Sequence, residues 1–243
     1  MYKKLATKKG RLEAELFIVE GGRAIEQIVS SHPDEVTEIL ATEELPVRYH
    51  RYPLRLLTTG QFRSISGATT PQGIMAVVKL PCCVYSEKLP DNVGNRILLL
   101  EDIQDPGNLG TLIRTAAAFD FSGVIMTESS ADPLSPKCVQ STAGAVLSLW
   151  MRKIRRYLDV TGNLRKDGYK LISTVLDGGA EPSVLECQSK LLLALGNEAA
   201  GLSPEILEIS DYRVGIPINR EKAESLNVAA CGAACMYLSS KNS

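Results

Sequence analysis

Arg114 is the side chain whose setting most invites chemistry. It lies on a segment, Glu101-Asp102-Ile103-Gln104-Asp105-Pro106-Gly107-Asn108-Leu109-Gly110-Thr111-Leu112-Ile113-Arg114-Thr115, in which a strand ends and a helix begins; Asp105 suits the helix N-cap and Pro106 the first helical position. On the helix so begun, Leu109, Leu112, Ile113 and Ala116 form an apolar stripe, and Gly107, Gly110, Thr111 and Arg114 share another face. A glycine inside a helix costs about 1 kcal/mol relative to alanine. Two on one face suggest that something approaches the backbone closely. An arginine beside them can hold a phosphate or a developing oxyanion. Close helix packing with a surface arginine accounts for the same residues.

Two later segments have the same character. Leu193-Ala194-Leu195-Gly196-Asn197-Glu198-Ala199-Ala200-Gly201-Leu202 reads as a buried strand that runs into a loop bracketed by glycines. Ligands of open α/β sheets bind at the carboxyl ends of strands, so the place is suggestive. It is not G-x-G-x-x-G, and neither that fingerprint nor a Walker loop occurs elsewhere, which argues against a dinucleotide enzyme or an ordinary nucleotide hydrolase. The last segment is Ile216-Pro217-Ile218-Asn219 followed by Glu224-Ser225-Leu226-Asn227-Val228. A short strand is expected to break at Pro217, and a helix to start near Ser225, a good N-cap residue. That helix carries Ala229, Ala230, Gly232, Ala233 and Ala234, small enough to admit a neighbouring segment or a second subunit.

The elements that position these segments follow from periodicity. Ile97 to Leu100, Gly123 to Met126, Leu171 to Val175 and Leu191 to Leu195 are continuous apolar runs, as expected of central strands in a parallel sheet covered on both faces. The first 80 residues instead alternate short pieces. Strands are expected at Leu16 to Val19, Val36 to Leu40, Val47 to Tyr49 and Gly73 to Val78, with helices at Gly21 to Ser30 and Thr59 to Ile65. Lys79 to Asn95 carries Pro81, Pro90 and Gly94 and reads as a connector. The expected organisation is an α/β domain over 1–80, a linker over 81–95 and a second α/β domain over 96–243.

Composition narrows the class. The 243 residues are 44% hydrophobic, enough for real cores, and no apolar run nears the roughly 18–20 residues that span a bilayer. The N-terminus is basic but lacks the apolar region of a signal peptide, so a cytoplasmic protein is expected. The six cysteines form no C-x-x-C, and His32 and His50 stand apart from them, so no metal is expected. A net charge of −1 argues against a protein that coats nucleic acid. Local phosphate contacts still have candidates in Lys3, Lys4, Lys8, Lys9 and Arg11, in Arg48, Arg51, Arg55 and Arg63, and in Arg152, Lys153, Arg155 and Arg156.

Taken in order, Asn108 with Arg114-Thr115, Gly196-Asn197-Glu198 with Gly201, and Ile216-Pro217-Ile218 with Ser225-Leu226-Asn227-Val228 closely resemble the motifs of the SpoU (TrmH-type) family of RNA 2′-O-ribose methyltransferases. The resemblance runs from about residue 96 to the C-terminus. Phe17 to Gly21 and Thr70 to Ile74 are similar to the family's substrate-binding domain, which has a ribosomal L30e-like fold. The resemblance implies a C-terminal trefoil knot, against the general rule that chains do not knot. It implies a homodimer, S-adenosylmethionine as cofactor and RNA as partner, with ribosomal RNA favoured over transfer RNA. It places the cofactor at Thr174, Val175, Leu176, Leu195, Gly196, Asn197, Gly201, Ile216, Pro217, Ile218 and Leu226. It assigns catalysis to Arg114, supported by Asn108, Glu198, Ser225 and Asn227. A guanidinium stays protonated, so Arg114 is better cast as a stabiliser of the developing alkoxide and a clamp on the adjacent phosphate than as a base. On chemistry alone, Glu198 is the better conventional base. Rival readings are a non-catalytic knotted protein of RNA binding or ribosome assembly, and a base methyltransferase of the related knotted group.

Overall fold

The computed structural model describes residues 2–241, which form two compact units. Of the described residues, the first contains 2–82 and 132–147, the second 83–131 and 148–241. The first unit begins with α1 (Lys8–Ala14), β1 (Leu16–Glu20), α2 (Gly22–Ser31), β2 (Val36–Ala41), β3 (Leu54–Leu56), α3 (Thr59–Arg63) and β4 (Ile74–Lys79). In the second come β5 (Arg96–Leu100), α4 (Pro106–Ala118) and β6 (Gly123–Thr127). The chain then adds α5 (Pro136–Thr142) to the first unit, where it packs on β1. It returns to the second with β7 (Trp150–Ile154), α6 (Tyr157–Lys166), β8 (Lys170–Thr174), β9 (Leu191–Leu195), α7 (Pro204–Ile209), β10 (Tyr212–Val214) and α8 (Val228–Ser240).

The sheet of the first unit runs β1-β4-β2-β3, antiparallel except for the β2–β3 pair. One face holds Leu40, Met75 and Val77 against Leu5 and Phe62. The expected strand at Val47 to Tyr49 is instead a single 3₁₀ turn, closed by the Tyr49 amide on the Pro46 carbonyl at 3.0 Å. Leu54–Leu56 supplies the edge strand in its place, with all of its residues exposed. Arg11 is also not a surface cation. It is 1% exposed, donates to the Leu5 carbonyl at 2.9 Å and meets Asp132 Oδ2 at 2.5 Å, tying the 132–147 segment into this unit.

The second sheet is parallel throughout, in the order β10-β8-β9-β5-β6-β7. Every residue of β6 and β9 is buried, the signature of strands covered on both faces. Residues 83–95, part of the expected linker, are strapped to this unit. The Val93 carbonyl accepts from Trp150 Nε1 at 3.2 Å, the Lys88 carbonyl from Arg152 Nε at 2.9 Å, and Glu87 takes the amides of Arg155 and Arg156.

Candidate active site

The β5–α4 segment is built as its residues suggest. The Asp105 side chain accepts from the amides of Gly107 at 2.6 Å and Asn108 at 3.0 Å, and Pro106 occupies the first turn. Leu109, Leu112, Ile113 and Ala116 are buried, whereas Thr111 and Arg114 are exposed. Among the described residues Arg114 has no hydrogen-bond or ion-pair partner. Five other basic residues singled out from the sequence are paired with carboxylates. Arg48 pairs with Glu26 at 2.5 Å, Arg51 with Asp34 at 3.7 Å, Arg55 with Glu38 at 2.9 Å, Arg155 with Glu128 at 2.8 Å and Arg156 with Asp159 at 2.7 Å.

The glycine-bracketed loop after β9 folds back on itself. The amide of Asn197 donates to the Gly201 carbonyl and the Gly201 amide to the Asn197 carbonyl, both at 2.9 Å. Inside this turn Asn197 Oδ1 accepts from the amides of Ala199 and Ala200, while its Nδ2 donates to the Asp102 carbonyl at 2.8 Å. The doubling back leaves no room at Gly196, where a Cβ would lie 2.2 Å from the Gly201 carbonyl carbon.

Asn108 joins the three motif segments. Its Nδ2 donates to Glu198 Oε1 at 3.0 Å, and its Oδ1 accepts from Asn227 Nδ2 at 3.1 Å. Glu198 also takes the amides of Gln104 at 3.1 Å and Asp105 at 3.2 Å. Burial alone pushes this carboxyl up. The bonds from Asn108 and the backbone amides outweigh it and leave Glu198 below its ordinary value of 4.5. A carboxylate so occupied holds the 197–201 loop to the start of α4. Its stabilising contribution is present above the unfolded value and lost as pH falls through the depressed folded one. The stability gap between wild type and Glu198→Gln is therefore expected to be widest near neutrality and to shrink in acid, read by urea denaturation across pH. A gap that grows in acid contradicts this.

Asn227, rather than Ser225, caps α8, its Oδ1 accepting from the Ala229 amide at 2.9 Å. The small residues of that helix serve α4 and β9 within the chain: a Cβ on Gly232 would strike Leu112 and Leu195.

At the carboxyl ends of β8 and β9 lies a cleft of about 490 Å³. Thr174, Val175, Leu176, Leu195, Gly196, Asn197, Gly201, Ser225 and Leu226 all line it, with Glu198 at one side. Ile216, Pro217 and Ile218 do not line it and instead carry the chain from β10 toward the rim. The volume lies within the roughly 300–1,000 Å³ of small-molecule sites. Leu176 is 61% and Leu226 39% exposed, so apolar rims stand open beside a backbone-lined floor. That combination fits an adenosyl group, which needs an apolar slot with a few fixed hydrogen bonds.

One anchor of the site escaped the sequence reading. Glu101 is 4% exposed and accepts from the Ser203 amide and hydroxyl, both at 2.7 Å, and from the Tyr157 hydroxyl at 2.5 Å. Burial and the bond to Glu101 push Tyr157 up to about 12. A charged residue placed directly after the apolar run Ile97–Leu100 was the available signal. Glu101→Ala strands these donors and is expected to cost on the order of 3 kcal/mol in urea denaturation. A loss below about 1 kcal/mol would show that water replaces the carboxylate.

The sequence profile of the SpoU rRNA Methylase family matches residues 95–237, and that of the MRM3-like substrate binding domain matches residues 1–76. The chain belongs to the SpoU rRNA methylase family. It is 33% identical to the Bacillus subtilis 23S rRNA (guanosine(2553)-2'-O)-methyltransferase RlmP, over 97% of this chain and 93% of that one. It is 30% identical to the 23S rRNA (uridine(2479)-2'-O)-methyltransferase of Streptomyces viridochromogenes, over 69% and 59%. Its fold superposes on the SpoU methyltransferase AviRb of that organism, solved with AdoMet, at a TM-score of 0.83 and 26% identity, covering 99% of this chain and 95% of that one. This SpoU methylase is accordingly an RNA methyltransferase that uses S-adenosylmethionine, and its mixed α/β fold is that of the family's solved structures.

Proposed function

We propose that this protein transfers a methyl group from S-adenosylmethionine to a ribose 2′-hydroxyl of structured RNA, with ribosomal RNA as substrate. The observation that carries the reading is the convergence of Asn108, Glu198 and Asn227 beside the cleft, with Arg114, unpaired among the described residues, on the same helix as Asn108. The 23S ribosomal RNA enzymes among its relatives, one similar along nearly its whole length, support the substrate.

Bound in the cleft, S-adenosylmethionine supplies an activated methyl and its own leaving group. The protein's task is alignment and charge stabilisation. Backbone at Thr174 to Leu176 and Leu195 to Asn197, with Gly201 and Leu226, holds the donor. Asn108, Glu198 and Asn227 keep the loops in register, and Ser225 lines the cleft. Arg114 lies six residues beyond Asn108, about 9 Å along the helix axis. There it clamps the RNA phosphate and stabilises the alkoxide as the hydroxyl proton leaves to phosphate or water. Glu198 is spent on three donors and does not take that proton.

The chain works in the cytoplasm as a homodimer and carries the family's knot in its C-terminal part. α8 presents apolar or small side chains on every side from Val228 to Leu238, yet Ala230 and Tyr237 are exposed, which supports a second subunit against this helix. Among the described residues no helix is long and apolar enough to cross a membrane. The substrate is tested by mapping ribose methylation in RNA from a deletion strain. A single missing 2′-O-methyl in ribosomal RNA, restored by the gene, supports the reading. A loss confined to transfer RNA overturns its substrate.

A further inference from the structure

Arg220 stands between β10 and α8 and belongs to none of the motifs above. Its guanidinium reaches across to a second segment. Nη1 donates to the Glu224 carbonyl at 2.5 Å, and Nη2 donates to Asp177 Oδ1 at 2.7 Å and to the Leu176 carbonyl. The turn that carries it is built by Asn219, whose Oδ1 accepts from the Glu221 amide at 3.0 Å. The Asn219 carbonyl accepts from the amides of Lys222 and Ala223, both at 3.1 Å.

The two segments so joined are the two rims of the cleft. Leu176 lines one, and Glu224, Ser225 and Leu226 line the other. All residues from Asn219 to Asn227 are exposed, so little burial opposes the entropy of this stretch. The Arg220–Asp177 ion pair is itself open to solvent, at 40% and 85% exposure, and contributes little alone. The two carbonyl bonds carry the hold. They need a planar fork with several donors, which lysine does not offer.

We propose that Arg220 is a positioning residue for the methyl donor: it latches the 219–225 turn to Leu176-Asp177 and so fixes the rims that close on S-adenosylmethionine. The inference rests on the reading that this cleft holds the donor. It also gives Ile216 to Ile218 a part, as the arm that delivers the latch.

The test is calorimetric titration of full-length wild type, Arg220→Ala and Arg220→Lys with S-adenosylmethionine, together with steady-state kinetics and thermal melting. Arg220→Ala is expected to weaken donor binding about ten-fold and to raise the donor KM alike, with kcat at saturating donor within about two-fold. Its melting temperature without donor stays that of wild type, while the rise on adding donor shrinks. Arg220→Lys recovers part of the affinity. Wild-type affinity in Arg220→Ala overturns the latch. So does unchanged donor affinity with a raised RNA KM, which assigns Arg220 to RNA. A wild-type protein that takes up no donor overturns instead the reading of the cleft.

Discussion

Arg114→Ala is expected to lower methyl transfer by about 10²–10³-fold, the usual cost of removing one fixed charge stabiliser from a transition state. Donor affinity should stay that of wild type, because Arg114 does not line the cleft. The variant should also fold normally, since the side chain is exposed and, among the described residues, partnerless. Those features make it informative: a loss of rate can be traced neither to a collapsed loop nor to a missing cofactor. Six of the eight other arginines singled out from the sequence already have carboxylates, whereas Arg114 has none among the described residues. Arg114→Lys keeps the charge but loses the two-pronged geometry, so it should fall between wild type and alanine. Single-turnover rates with saturating donor and RNA check both. A wild-type rate in Arg114→Ala contradicts the assignment.

Gly196→Ala is expected to abolish donor binding, with a weakening of at least about a hundred-fold. The new Cβ would stand 2.2 Å from the Gly201 carbonyl carbon and 2.3 Å from the Leu202 nitrogen. Both are backbone atoms, so no side chain can swing aside. The 197–201 turn must open, and with it go the Asn197 bonds to Asp102, Ala199 and Ala200. Overpacking of this kind costs about 1–3 kcal/mol, which the rest of the sheet should survive. The check is calorimetry with S-adenosylmethionine alongside urea denaturation. A folded variant that binds donor as wild type does would show that this loop does not shape the site.

The sequence disclosed some elements far better than others. Ile97 to Leu100 and Leu191 to Leu195 are apolar on both faces, and both proved to be central strands. Trp150–Ile154 and Tyr212–Val214 went unread because they are the edges of the same sheet, where Arg152, Lys153 and Arg213 break the apolar pattern. Asp105 and Pro106 mark the start of α4 through local chemistry that needs no tertiary partner. The sequence offers two good caps for α8, serine at 225 and asparagine at 227; the structure uses Asn227, which accepts from the Ala229 amide and is also held by Asn108, 119 residues away. The site was legible where its residues carry their own signal, as in the glycines of the 196–201 loop. Arg220 is silent in the sequence, since its partner Leu176 lies far along the chain; Glu101 shows only as a charge after an apolar run, because its partners Ser203 and Tyr157 are just as distant.

Methyl transfer to a ribose is read most directly by nucleoside mass spectrometry of ribosomal RNA incubated with the purified protein and isotopically labelled S-adenosylmethionine. Label is expected in one 2′-O-methylated nucleoside, and its formation is expected to be about 10²–10³-fold slower with Arg114→Ala. Label on a base, or a wild-type protein that binds donor and leaves every ribose unmodified, would contradict this.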